Sequence, residues 1–165
     1  MHLLDEIIAL IQPDAIHIGH DEVVGHNQKQ IDKFGPILPA HLYLQDVIKL
    51  NDHLNSAGVE TWMWGDMLII PSEFPQMHPG SLNGTPTYVQ MRDSLPRNIT
   101  ICDWHYKDYK PKLQRHIDFP STDLFANMGF NVLGATWNVP KLTSKFSRYV
   151  SDMNNPKAKG MIATT

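Results

Sequence analysis

The chain has 165 residues, enough for one domain with a real hydrophobic core. Its 42% hydrophobic and 19% charged content is that of a folded globular protein rather than a disordered one. The formal charge of −3 argues against a nucleic-acid or anionic-membrane binder, which needs a basic face.

The single cysteine, Cys102, excludes an internal disulfide. No apolar run approaches the ~20 residues needed to span a bilayer. Met1-His2-Leu3-Leu4-Asp5-Glu6 lacks the basic segment and apolar stretch of a signal peptide, which leaves the compartment open.

Taken in chain order, apolar spacing predicts a helix over 2–11, ended by Pro13. Residues 15–18 (Ala-Ile-His-Ile) are short and β-prone. A long amphipathic helix is predicted over 39–57, with Leu44, Val47, Ile48 and Leu54 on one face and Gly58 past its end. Residues 59–63 read as a strand, followed by a Pro/Gly-rich loop over 71–86. A short helix over 88–94 precedes a strand over 99–104. A helix over 121–128 starts after Pro120 and closes at Gly129, ahead of a strand over 132–137. A helix over 140–153 leads to a last strand over 160–164.

This alternation, in units of roughly 30–45 residues, predicts a parallel sheet with helices packed on it. No glycine-rich phosphate loop follows any strand, which disfavours a nucleotide-binding sheet. The expected fold class is α/β, an incomplete (β/α)8 TIM barrel of about five parallel strands in one partial domain over 1–165. A whole barrel needs about 250 residues and eight strands. A partial barrel exposes two sheet edges and one face, so self-association is expected.

The most informative stretch is His17-Ile18-Gly19-His20-Asp21-Glu22-Val23. It lies at the C-terminal end of a predicted strand, where parallel α/β proteins place their active sites. Side-chain alternation puts His17, Gly19 and Asp21 on one face, with Glu22 where strand becomes loop. Two adjacent carboxylates suit acid/base chemistry, because one anion disfavours ionisation of the other and readies it to act as an acid.

His-x-Gly-x-Asp-Glu followed by Val resembles the signature of family 20 glycoside hydrolases, the β-N-acetylhexosaminidases. Its four fixed positions arise by chance in on the order of one in a thousand chains of this length. Trp62-Met63-Trp64-Gly65-Asp66 resembles the family segment whose tryptophan lines the acetamido pocket, and Trp64 is the candidate for it. Asp66, of the same parity, is a candidate for a sugar hydroxyl. Asp103-Trp104-His105-Tyr106 and Gly134-Ala135-Thr136-Trp137 close the next two strands, so all four tryptophans fall at predicted strand ends. His17, Trp104, Tyr106 and Trp137 join the expected sugar-binding wall, since aromatic faces suit the apolar faces of pyranose rings. His20 departs from the family pattern, which often has glycine there.

The resemblance implies removal of terminal β-linked N-acetylhexosamine from a glycan or glycoconjugate, with no cofactor. Glu22 is then acid and base, Asp21 orients the substrate's 2-acetamido group, and that group supplies the nucleophile. It also implies that the chain corresponds to strands four to eight of the family barrel. The arginine and aspartate that the family draws from earlier strands have no counterpart before His17.

Two other readings stand beside it. His17, His20, Asp21, Glu22 and His26 crowd into ten residues, as in a metal-dependent hydrolase, but the helical His-Glu-x-x-His spacing is missing. A non-catalytic carbohydrate-binding half-barrel would keep the aromatic wall and be indifferent to loss of Glu22.

Overall fold

The computed structural model describes residues 2–24, 28–107 and 119–164. Five strands, β1 (Ala15–His17), β2 (Glu60–Trp64), β3 (Thr100–Trp104), β4 (Asn131–Thr136) and β5 (Ala158–Ala163), form one sheet in chain order. Every neighbouring pair is parallel, and the sheet curls into a half-barrel with helices between its strands. Parallel neighbours need a crossover, and these helices supply it.

The helices are α1 (His2–Ile11), α2 (Gln28–Phe34), α3 (Ala40–Ser56), α4 (Pro86–Arg92), α5 (Pro120–Asn127) and α6 (Pro140–Asp152). Proline occupies the first turn of α4, α5 and α6, where its missing N–H costs nothing and its fixed φ is already helical. Past the end of α3, Gly58 adopts φ +75°, the left-handed conformation that lets the chain reverse into β2.

The sequence-based expectations for five strands and five of the six helices are met within a few residues. α2 was not expected: seven residues long and mostly polar, it carries too little apolar periodicity to be legible. Short 3-10 turns at Asp66–Leu68 and Pro79–Ser81 add structure to the segment after β2.

Register sorts the strand side chains onto two faces. Met63, Ile101 and Val132 are aligned across β2, β3 and β4 and pack with Tyr43 and Val47 of α3 and Phe125 of α5 in the main core. A smaller cluster of Phe119, Leu142, Phe146 and Val150 seats α6 against β4 and β5. Gly134 of β4 gives it room, since a Cβ there would lie 2.6 Å from Met161 Sδ and 2.9 Å from Phe146 Cζ. The alternate positions, Trp62 and Trp64 of β2 and Trp104 of β3, are half-buried and face away from the helices. They line the inner face of the curl.

Beneath the C-terminal end of β3, Asp103 accepts hydrogen bonds from the hydroxyls of Ser121 (2.7 Å) and Thr122 (2.6 Å) at the start of α5, and His105 joins both Asp103 and Ser121 at 3.1 Å. All four side chains are buried, so this polar knot ties strand to helix.

Candidate active site

The segment after β1 leaves the strand in an uncommon backbone conformation. Gly19, His20 and Glu22 have φ of +77°, +69° and +42°. Glycine adopts this region freely, but for other residues it costs on the order of 1–3 kcal/mol each and persists only where surrounding contacts over-determine it.

Those contacts are in place. His20 Nδ1 lies 3.0 Å from the Ile18 carbonyl and Nε2 lies 3.0 Å from Asp46 Oδ2 on α3. Both partners are acceptors, so a ring nitrogen that carries a proton donates it to one of them. Tyr43, fully buried on α3, donates from its hydroxyl to the His20 carbonyl (3.2 Å) and meets the His20 ring edge-on. Burial, with Asp66, Tyr88 and Asp21 adding to it, holds the Tyr43 hydroxyl well above its ordinary pKa, so it stays a donor. Glu22 is fixed by its own N–H, which donates to Asp66 Oδ2 at 3.1 Å.

The segment therefore carries two exposed carboxylates, Asp21 and Glu22, on a backbone braced from α3 and from the turn after β2. Asp21 is central electrostatically, because its charge acts on His17, Tyr43, Asp66 and Tyr106. His17 accepts the Gly19 N–H at Nδ1 (3.0 Å), which places the ring proton on Nε2, a buried atom with no hydrogen-bond partner. Burial lowers the His17 pKa, opposed in part by the Asp21 carboxylate and reinforced by His20. Its ring leans on Trp64, centroids 4.4 Å apart.

Across the mouth, Trp104 stacks on Tyr106 (4.8 Å, 27° between planes) and Tyr106 meets Trp137 at 6.0 Å. Thr164, just past β5, donates to the Tyr106 hydroxyl at 3.1 Å and so orients this row. Burial raises the Tyr106 pKa; the Thr164 bond opposes this, and Asp21 and Asp66 add to it. Trp137 is 49% exposed, which leaves a large apolar ring open at the rim.

The structure thus groups His17 with Trp64, and Trp104 with Tyr106 and Trp137, at strand ends. Asp66 is placed differently from an open sugar ligand. It is only 2% exposed, and its Oδ2 also accepts from Asn83 Nδ2 (2.9 Å). Burial raises its pKa from 3.8 to about 6, against the hydrogen bonds from Asn83 and the Glu22 N–H and the proximity of the Trp104 indole, and with the Asp21 charge adding to the rise.

Tyr43, Asp46 and Asn83 escaped the sequence reading. Asn83-Gly84 reads only as a turn, yet a Cβ at Gly84 would lie 2.4 Å from the Met67 carbonyl oxygen. That close approach brings Asn83 to Asp66.

Among the described residues the histidine and carboxylate crowd does not converge on one point. His17 turns to Trp64 and His20 to α3, and His26 lies outside the described residues. Among the described residues no three His, Cys, Asp or Glu side chains are placed to hold a metal ion. Searches with the sequence found no matching protein-family model and no matching curated protein.

Proposed function

We propose that the chain carries the acid/base half of a glycoside hydrolase site that removes terminal β-linked N-acetylhexosamine with retention, on strands four to eight of a (β/α)8 barrel. One observation carries the reading: two adjacent exposed carboxylates stand at a strand end on a braced segment with three residues of positive φ, and aromatic side chains stand at the ends of neighbouring strands.

In this reading Glu22 protonates the glycosidic oxygen as the bond to the anomeric carbon breaks. The substrate's acetamido oxygen attacks that carbon and gives an oxazolinium-like intermediate. Asp21 orients the acetamido N–H and offsets the positive charge developing on it. Glu22, now a carboxylate, takes a proton from water as that water opens the intermediate. Trp64, Trp104, Tyr106 and Trp137 offer faces to the sugar, His17 supports Trp64, and Asp66 supports the pair from below.

The test is hydrolysis of an aryl N-acetyl-β-hexosaminide, alongside binding of an oxazoline mimic. Glu22→Gln is expected to lower turnover by about 10²–10⁴-fold, the usual contribution of a general acid, while largely sparing the mimic. Asp21→Asn is expected to weaken both. Unchanged turnover in Glu22→Gln refutes the assignment.

A further inference from the structure

We propose that Asp66 is a positioning residue for the Asp21–Glu22 pair, one buried carboxylate that fixes the Glu22 backbone and faces the Trp104 indole. The inference rests on the hydrolase reading for what the pair does, and on geometry alone for the hold itself.

Asp66 opens the 3-10 turn that follows β2, so the turn carries it under the segment after β1. Its Oδ2 takes the Glu22 N–H at 3.1 Å and Asn83 Nδ2 at 2.9 Å. The Asp66 carbonyl takes the Asn83 N–H at 3.0 Å, which locks the turn to the loop 17 residues on. The Glu22 carbonyl accepts the Val24 N–H at 2.6 Å. The Glu22 residue is thus held at both ends, and Asp66 supplies the end nearer Asp21.

Two neutral amide donors on one oxygen are a thin hold for a carboxylate that is almost wholly out of water. Its Oδ1 is buried with no hydrogen-bond partner, although the Trp104 indole N–H is near enough to favour the charged form. A residue serving only to cap a turn needs one acceptor. Here the acid holds the acidic segment through Oδ2 and lies close enough to feel Trp104, which stacks on Tyr106.

The ionised acid is the stronger acceptor, so the hold tightens as Asp66 loses its proton. The titratable groups that face it are Asp21 from the segment after β1, Tyr43 from α3 and Tyr106 from the end of β3. Both tyrosines have raised pKa values and remain neutral over the range that matters, which leaves Asp21 as the charged neighbour that adds to the rise that burial causes.

The experiment is a pH titration of the full ¹⁵N-labelled chain from about pH 4.5 to 8, following the Glu22 amide and the Trp104 indole N–H. Both signals are expected to shift through one shared midpoint, to lose that step in Asp66→Asn, and to keep a shared midpoint at lower pH in Asp21→Asn. Different midpoints in the wild-type chain overturn the proposal without any variant, and so does a step that survives Asp66→Asn. No turnover enters these readings. A failed Glu22→Gln assay removes the hydrolase reading and leaves the anchor, whereas divergent midpoints remove the anchor and leave the hydrolase reading.

Discussion

Replacing Asp66 by asparagine should make the protein more stable at neutral pH and change little in acid. The amide keeps an acceptor for the Glu22 N–H and has nearly the shape of the protonated acid, but it cannot ionise. For Asp66 the pKa rises from 3.8 to about 6 on folding. The folded state therefore holds a proton in a range where the unfolded chain has released it. Stability contributed by the protonated acid is complete below pH 3.8 and is lost as pH rises through about 6. At about 1.4 kcal/mol per pKa unit, the loss across that window is about 3 kcal/mol. Urea unfolding of both proteins at several pH values between about 3 and 7.5 measures it. The difference, wild type minus Asp66→Asn, should fall by about 3 kcal/mol from acid to neutral pH, with other titrating groups cancelling between the two. A difference that is flat with pH, or that grows, would refute the reasoning, because the donors on Oδ2 would then outweigh burial.

Gly84→Ala should destabilise by at least the ~1–3 kcal/mol typical of overpacking, since the new methyl meets the rigid Met67 and Ile69 carbonyl oxygens rather than a flexible side chain. The same change should disturb the Asp66 partner Asn83, visible as a shift of the Asn83 side-chain amide signals. Cys102 is buried in β3, and burial with the Asp103 charge pushes its thiol up to about 12. It should resist disulfide reagents at pH 8 until denaturant opens the chain; rapid labelling of the native protein would count against this core.

Much of the architecture is legible in the amino acids because local signals and packing agree. Pro120 and Pro140 open helices where a proline belongs, Gly58 and Gly129 close them with positive φ, and β-prone runs alternate between them. The candidate site is legible only in part. Asp21, Glu22 and the aromatic strand ends stand out by residue type and parity. What braces them does not, since the Asp66 contact to Asn83 spans 17 residues, and the Tyr43 contact to His20 spans 23. Nor does residue type disclose that position 20 is left-handed, a conformation that favours glycine and that this histidine holds with tight bracing.

The sheet repeats the order of the chain, β1 through β5, with every strand beside the one before it. Each strand can therefore add to an edge already formed, through a single crossover and without waiting for distant sequence. Such a sheet can assemble from one end as the chain leaves the ribosome. The segment with Asp21 and Glu22 follows the first strand, yet its braces arrive with α3, with the turn after β2 and with Asn83. Its strained backbone should be set only once the second unit has docked, so in hydrogen exchange the Glu22 amide should gain protection after β1 and together with β2.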